Sequence, residues 1–517
     1  MLLTTKRPLA LTLLSVAVAG WLMDLAHPDT NWWPLALLSL GMMLAAARGL
    51  SVPASLLTGA LAGFSFYGIH IWWLTVYLGL IPWIALVLAQ TVLYALGFVL
   101  LTLSWRWVGA WWRRPVGRLG FLPVVLAAVW TIREVVAAEW PFGGFNWGRL
   151  AHSQSETPLT DWVGWLGTSG FGFVMAWLSA LAVVLLVEWR LDGVARASVM
   201  AGALTFALVW PAYPATITDS IRVLGVQGNA DAGLFADYER GDNLRDHYEV
   251  TAELFGEDVD VVIWPENASD IDPLRNEDAR AVVDEVTREM GAPLVVGAIT
   301  RDGDLTYNSV LLWEETSPGL TEATDQYDKI HPVPFAEYLP AREFFYPLAP
   351  DLFDLVPRDY SFGQRDTVFT IDGHTAGIAI CYDIVDNEIF WQMMDEGADI
   401  IFAPTNNADF GRTDQSEQQL AIARLRGVEM GRSVVNVSTV GTSAIMTPTG
   451  ETIDRLPTYT EGYMIADVPT ASHTTPAVVV GHSLEWFIAG LGLAALVIGG
   501  LFMRGSPSWQ RHDPFDR

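Results

Sequence analysis

The sequence predicts a layered α/β domain attached to an all-α polytopic membrane domain of about eight transmembrane helices. Three observations predict it. Apolar residues make up 51% of the 517 residues, and they form long runs near both ends. Residues 212–481 carry 47 Asp/Glu and 16 Lys/Arg, whereas the remainder has a slight basic excess. Within that acidic block, short apolar segments alternate with amphipathic ones, as strands and helices do in layered domains.

Eight apolar runs are each near the length that a bilayer requires. We expect an N-terminal membrane domain with seven transmembrane helices over 1–211, the α/β domain over 212–481, and a C-terminal transmembrane helix and tail over 482–517. The predicted spans are 8–26, 33–47, 54–77, 80–104, 119–138, 163–188, 196–211 and 484–503.

Basic residues between the spans indicate the orientation, because they favour the cytoplasmic face. Twelve of the basic residues outside the spans or at their ends fall on one face if the N-terminus is cytoplasmic. We therefore expect a multi-pass protein of the cytoplasmic membrane, with both termini inside and residues 212–481 outside. The basic residues are Lys6, Arg7, Arg48, Arg106, Arg113, Arg114, Arg118, Arg190, Arg196, Arg504, Arg511 and Arg517.

The start of the chain also resembles a signal peptide, with Lys-Arg, an apolar run and Ala-Val-Ala ending at Ala19. The apolar character continues through Trp21 and Leu22, which favours a retained helix.

Charge and motifs exclude several classes of function. The acidic surface of 212–481 repels phosphates, so we expect no nucleic-acid partner. The chain has one cysteine and no His-Glu-x-x-His pattern, which argues against a metal site. No P-loop is present, and the glycines at 167–172 lie inside an apolar run, so no cofactor is expected.

The acidic block contains eight predicted strands and three predicted helices. The strands are 221–228, 259–266, 293–300, 308–315, 375–383, 398–406, 433–440 and 443–450, and the helices are 242–256, 276–291 and 416–432.

Cys381 follows the apolar run Ala-Gly-Ile-Ala-Ile, so it is predicted at the end of a buried strand. Open α/β sheets present functional groups at that edge. A single cysteine in such a place is nevertheless more typical of a buried small hydrophobe. Its neighbours must decide between the two interpretations.

Three further residues offer chemistry. Glu266 ends the apolar run of "VVIWPE", where a carboxylate is costly unless it is paired, used or capping a helix. Lys329 is the only lysine of the acidic block, beside 28 arginines in the chain, so it is either a chance survivor or kept for lysine-specific chemistry. Glu337 lies in the same predicted loop, "YDKIHPVPFAEYLP".

Glu266, Lys329 and Cys381 form a coherent set. A thiolate nucleophile needs a base to take its proton, and a carboxylate can be that base. An ammonium can stabilise the oxyanion of a tetrahedral intermediate.

These motifs resemble the carbon-nitrogen hydrolase (nitrilase) superfamily and its Glu–Lys–Cys triad. Flanking spans and the segments "VPFAEYLP" and "ARLRGVEMGR" resemble, within it, the apolipoprotein N-acyltransferase family. The resemblance covers nearly the whole chain. It implies an αββα nitrilase-like sandwich for residues 212–481.

The resemblance also implies a reaction and its partners. Cys381, deprotonated by Glu266, attacks an acyl ester of a membrane phospholipid while Lys329 holds the oxyanion. The thioester acyl-enzyme then passes its chain to the α-amino group of the S-diacylglyceryl-cysteine of an apolipoprotein, in ping-pong order. Glu337 is expected to orient the site, and Tyr382 and Asp383 to support it or line the pocket.

The sequence departs from the family pattern at three places. Asp383 replaces a glutamate, Asp409 replaces a tryptophan, and another expected tryptophan is absent, with Phe235 or Tyr238 as its substitute. We expect these positions to affect substrate contacts more than the chemistry.

Two other classes of function remain open from the sequence. One is a membrane-anchored nitrilase-type amidase that uses water as the acceptor. The other is a non-catalytic binding module on a decayed enzyme.

Overall fold

The computed structural model describes residues 8–111, 116–187, 192–230, 239–354 and 359–504. Contacts divide the chain into two units, Met1–Ala212 with Val479–Arg517, and Tyr213–Val478. Several residues named above lie outside the described ranges: Lys6, Arg7, Arg113, Arg114, Arg190, Phe235, Tyr238, Arg511 and Arg517.

The first unit is helical. Its N-terminal part contains α1 (Leu9–Leu25), α2 (Pro34–Ala47), α3 (Val52–His70), α4 (Leu74–Tyr77), α5 (Leu80–Trp111), α6 (Leu122–Glu139), α7 (Val163–Val187) and α8 (Gly193–Leu208).

The second unit contains two six-stranded sheets. Their strands are β1 (Ile217–Gln227), β2 (Val261–Ile263), β3 (Leu294–Asp302), β4 (Leu305–Ser317), β5 (Leu320–Asp328), β6 (Val368–Ile371), β7 (His374–Ile378), β8 (Ile400–Thr405), β9 (Ser433–Ser438), β10 (Ser443–Met446), β11 (Thr452–Leu456) and β12 (Gly462–Ala471). The orders are β12-β1-β2-β3-β4-β5 and β11-β10-β9-β8-β7-β6.

Each sheet has a parallel centre and antiparallel flanks. Strands β1, β2 and β3 are parallel in one sheet, and β7, β8 and β9 are parallel in the other. The flanking pairs are antiparallel. The carboxyl ends of parallel strands meet at one edge of a sheet, which gives each half a place for functional groups.

Helices cover the outer faces of the sheets. They are α9 (Asp242–Ala252), α10 (Glu277–Met290), α13 (Asn387–Asp395) and α14 (Gln415–Met430), while the short helices α11 (Arg342–Phe345) and α12 (Pro350–Phe353) follow the Lys329 loop. The last helix of the chain, α15 (Pro476–Arg504), begins at the end of the second unit and continues into the first.

The core of the second unit has an inner and an outer layer because side chains alternate along each strand. On β1, Val223 packs in the cluster shared by both sheets, together with Phe369 and Phe402. Its neighbour Leu224 packs in a second cluster, with Val283 of α10. Two sheets with helices outside them form the αββα sandwich that the family resemblance implies.

Helices occur at all eight predicted spans, but their lengths differ. Within the described ranges, five apolar segments are long enough to cross a membrane: Val52–His70, Leu80–Trp111, Gly117–Glu139, Thr160–Val187 and Pro476–Met503. Three apolar helices are shorter, at 14 to 17 residues: Leu9–Leu25, Pro34–Ala47 and Gly193–Leu208. The count of eight spans therefore stays a prediction.

The predicted strand over 375–383 is too long. Strand β7 ends at Ile378, and Cys381 opens a 3₁₀ helix, Cys381–Val385. Cys381 thus lies three residues beyond the strand rather than at its last position. The difference arises because an unbroken apolar run does not mark where strand pairing stops.

Candidate active site

Glu266 is presented by the turn that follows β2. Gly297 of β3 lies against this turn: a Cβ added there would come 2.2 Å from the Pro265 carbonyl oxygen and 2.6 Å from Glu266 Cα. No side chain fits in such a contact. The backbone at residue 297 therefore fixes the position of Glu266, and the sequence pattern gave no indication of it.

The Glu266 carboxylate is buried, with 4% of the residue exposed. Its Oε1 accepts a hydrogen bond of 2.6 Å from Asn308 Nδ2 and lies 3.9 Å from Lys329 Nζ. Burial raises the pKa of Glu266, and nearby Glu337 raises it further, against the effect of Lys329 and of a hydrogen bond with the Cys381 thiol. Glu266 therefore has an increased affinity for a proton.

Lys329 follows β5 and is 1% exposed. Its backbone is held on both sides: its N–H donates to the Asn308 carbonyl and its carbonyl accepts from Gly363 N–H. Burial would lower the pKa of Lys329, but the carboxylates of Glu337 and Glu266 outweigh burial and raise it. The ammonium therefore stays charged.

Glu337 contacts both Lys329 and the backbone of the loop in which Glu337 itself lies. Its Oε1 lies 2.9 Å from Lys329 Nζ, and its Oε2 accepts from Val333 N–H at 2.6 Å. The Asn308 side chain also donates to Glu337 Oε1, at 3.2 Å. One lysine and one amide thus connect the buried carboxylate of Glu266 with the half-buried carboxylate of Glu337. Asn308 was not singled out from the sequence, because its only signal is a polar residue in an apolar strand.

Cys381 has an unusual backbone conformation, with φ at +51°. Non-glycine residues rarely adopt it, and it costs about 1–3 kcal/mol. The buried Arg426 of α14 secures the turn, because it donates to the carbonyls of Ile384 and Val385 and to Asn387 Oδ1. Strain at Cys381 is therefore maintained by hydrogen bonds three to six residues further along.

The Cys381 sulfur lies among polar groups. Its thiol donates to the Asn406 carbonyl at 4.0 Å, and Gln419 Nε2 donates to the sulfur at 3.7 Å. Burial raises the pKa of the thiol, as does the negative charge of Glu266, while Lys329 lowers it. The thiol is therefore protonated at neutral pH and needs a base before it can react.

Asp383 lies in the 3₁₀ helix that begins at Cys381. Its Oδ2 accepts from the Ile380 backbone N–H at 3.0 Å and from the Tyr327 hydroxyl at 2.9 Å. Burial raises the pKa of Asp383 to about 7. These contacts are with the backbone before Cys381 and with β5, so they give Asp383 a structural place in the turn.

Tyr382 is half-buried, and burial raises the pKa of its hydroxyl. Its role in lining a pocket stays a prediction. Of the predicted residues, Glu266, Lys329, Cys381 and Glu337 come together as one electrostatically connected group. A carboxylate, an ammonium and a thiol in this arrangement can perform acyl transfer through sulfur.

Comparisons with known proteins agree with this architecture. Residues 19–181 match the family described as apolipoprotein N-acyltransferase N-terminal domain, and residues 226–475 match carbon-nitrogen hydrolase. A solved amidase from Nesterenkonia sp. covers 50% of this chain and 93% of its own, with 17% identity and a TM-score of 0.38. The family match over residues 226–475 identifies the second unit as a carbon-nitrogen hydrolase domain, and the apolar helices indicate a membrane protein.

Relatives extend over both units. The apolipoprotein N-acyltransferase of Mycolicibacterium smegmatis is 30% identical over 94% of this chain and 84% of the relative. That of Azotobacter vinelandii is 29% identical over 94% of each. The chain belongs to the apolipoprotein N-acyltransferase family, and it is an acyltransferase.

Proposed function

We propose that the protein transfers an acyl chain from a membrane phospholipid, through a thioester on Cys381, to the α-amino group of the S-diacylglyceryl-cysteine of apolipoproteins. This is the final step of bacterial lipoprotein maturation. The observation that carries the proposal is the position of the chain's single thiol, half-buried beside Glu266 and Lys329. The same chain has long apolar helices, which suit substrates that are themselves anchored in a membrane.

In the first half-reaction, Glu266 accepts the proton of the Cys381 thiol. The sulfur lone pair then forms a bond with the ester carbonyl carbon, and the oxyanion is stabilised by the Lys329 ammonium. The C–O bond breaks, the lysophospholipid alkoxide takes the proton back from Glu266, and the thioester remains. The raised pKa of Glu266 supports this role, since a carboxylate with little proton affinity makes a poor base.

In the second half-reaction, the amine of the lipoprotein cysteine attacks the thioester carbonyl. Glu266 takes a proton from the attacking nitrogen and the C–S bond breaks. The thiolate then takes that proton from Glu266, which completes the cycle. Glu337 keeps Lys329 in position throughout, through the 2.9 Å contact between its Oε1 and Nζ. Two substrates in succession at one sulfur give ping-pong order.

We also propose a division of the chain and an orientation. Residues 1–211 and 482–517 form the membrane parts, with both termini in the cytoplasm, and residues 212–481 form the catalytic domain outside it. The distribution of basic residues supports this orientation. A protease-accessibility assay on sealed vesicles tests it: residues 212–481 should be cleaved only from the periplasmic face.

Mass spectrometry of the protein from native membranes tests the mechanism. We expect an acyl group on Cys381 that hydroxylamine removes, and a mass gain of one acyl chain on a diacylated lipoprotein. Cys381→Ala should lack both. If the wild type instead releases ammonia from small amides and leaves the diacylated lipoprotein unchanged, the amidase alternative is correct. If no acyl group forms and neither substrate reacts, the protein is a binding module.

A further inference from the structure

The buried face of α14 lies against the nucleophile. Gln419, on this face, is 2% exposed, and its Nε2 is 3.7 Å from Cys381 Sγ and 3.1 Å from Thr405 Oγ1. The two hydrogens of one amide nitrogen therefore serve the sulfur and a hydroxyl of β8. None of the roles assigned above to Glu266, Lys329 or Glu337 includes this contact.

A second amide sets the orientation of the first. Gln415 Nε2 donates to Gln419 Oε1 at 2.8 Å, so the oxygen end of the Gln419 amide is engaged away from the sulfur. Both glutamines are on α14 one turn apart, where side chains at i and i+4 meet. A thiolate has no proton to donate, and only the N–H end of an amide can stabilise it.

We propose that Gln419 is a further catalytic residue, whose amide N–H donates to the Cys381 sulfur whenever that sulfur carries negative charge. The inference rests on the proposed acyl transfer through Cys381. The charge develops when Glu266 takes the thiol proton before the C–S bond forms. It returns when that bond breaks and the electron pair goes back to sulfur.

The electrostatics of the site explain why a neutral donor belongs here. The single ammonium, Lys329, already faces the carboxylates of Glu337 and Glu266 at 2.9 and 3.9 Å. A second cation would tie up these carboxylates and lower the proton affinity of the base. The Gln419 amide adds a hydrogen bond to the thiolate and leaves the charge of the site unchanged.

Alkylation of the full-length protein in detergent tests the proposal without either lipid substrate. Cys381 is the only cysteine, so intact mass reports its reaction with iodoacetamide directly. We expect Gln419→Met, which keeps the volume but cannot donate, to slow alkylation about tenfold at neutral pH. Gln419→Glu should slow it further, because a carboxylate opposes the thiolate. Both pH–rate profiles should move to higher pH.

Thr405→Val is the matched control. It removes the other acceptor of Gln419 Nε2 and leaves the contact with sulfur, so its alkylation profile should equal that of the wild type. Repeating the measurement with the bulkier N-ethylmaleimide separates access from charge, because a change in access depends on reagent size.

Overlapping profiles of wild type and Gln419→Met would overturn the proposal. If Gln419→Met does not fold, Gln419→Glu decides, and a rate equal to that of the wild type overturns it. Alkylation slowed as expected, in a protein that forms no acyl-enzyme, would support the role of Gln419 and reject the proposed function.

Discussion

The two units each bury a cluster of charged side chains, and the clusters differ in composition. In the helical unit, Arg133, Glu134, Arg149 and Glu485 are all at most 6% exposed. This helical-unit cluster has two cations and two carboxylates. In the second unit, Lys329 faces both Glu266 and Glu337 beside a thiol, so one cation is shared by two carboxylates.

The side chains of the helical-unit cluster are linked by hydrogen bonds and ion pairs. Arg149 donates to Ser169 Oγ at 2.6 Å and lies 3.6 Å from Glu485, while Ser169 also bonds Glu485. Glu134 Oε1 accepts three hydrogen bonds of 3.0 Å, from Trp130, Arg133 and Leu150. Because an arginine does not deprotonate in proteins, this cluster cannot exchange protons easily.

The comparison distinguishes the helical-unit cluster, whose charges are fixed, from the candidate active site, whose groups can exchange a proton. Two arginines and two glutamates balance each other in charge and link helices of the first unit. In the second unit, one lysine lies beside two carboxylates and a thiol, and we propose that a proton moves between Glu266 and Cys381. Four predictions test this distinction.

Removal of the cation from the catalytic site should have the largest effect. Lys329→Met leaves the carboxylates of Glu266 and Glu337 joined only by Asn308, and it removes the proposed donor to the oxyanion. We expect acyl transfer to fall by at least about 10³-fold, measured as triacylated lipoprotein formed per folded enzyme. Lys329→Arg is the control: it restores charge and melting temperature but stays inactive because its planar fork does not replace the ammonium. More than a tenth of wild-type activity in Lys329→Met contradicts the assignment.

Arg149→Met should destabilise the helical unit without changing the thiol. It leaves Glu134 and Glu485 short of a buried cation, at a cost of about 3–5 kcal/mol. Thermal unfolding in detergent should show a lower midpoint, with a smaller loss for Arg149→Lys. The alkylation rate of Cys381 in the folded fraction should stay constant. A proportional fall in alkylation would show that the helical-unit cluster acts on the nucleophile.

Gly297→Ala should reduce activity with the charges intact. The new Cβ must displace the turn of Pro265 and Glu266, and a displacement near 1 Å costs about 10²-fold in rate. The measurement is kcat for acyl transfer beside a melting curve. Gly462→Ala is the matched control, because a Cβ there meets only methyl groups of Leu456, the nearest at 3.2 Å. Equal activity of both variants would contradict the role of Gly297.

Asp383 gives the most specific effect, a dependence of stability on pH. Its folded pKa of about 7 exceeds the unfolded value of about 4. Its contribution to stability is therefore complete below pH 4 and is lost as the pH rises to 7, by up to about 1.4 kcal/mol per pH unit. Asp383→Asn cannot ionise, so its melting temperature should gain on the wild type between pH 4 and 7 and then level off. A constant difference across this range would show that Asp383 is ionised throughout.

The sequence predicted the elements with strong apolar signals and missed the polar ones. Four strands were not predicted: β5, β6, β11 and β12. All four are edge strands of the two sheets, and polar residues such as those of "LTEATDQYD" in β5 give a pattern that resembles a loop. Strand β12 contains Pro469, which also argues against a strand.

The residues of the candidate site likewise include some that the sequence predicted and some that it did not. Glu266, Lys329 and Cys381 could be proposed because their residue types suit one chemistry. Asn308 and Gln419 could not, because an amide in a strand or helix has no distinctive signal until the fold brings it to a carboxylate or a sulfur. Gly297 also has no distinctive signal in the sequence, because its role depends on the close approach of its backbone to the turn of Pro265 and Glu266.

The position of Cys381 and Glu266 in the sandwich has a wider consequence. Cys381 follows β7 of one sheet and Glu266 follows β2 of the other, so the packing of the apolar side chains between the sheets sets the separation of the two groups between which we propose that the proton moves. Phe369 and Phe402 belong to this interior and thereby contribute to that separation. Natural variation in this interior is then constrained by turnover as well as by folding.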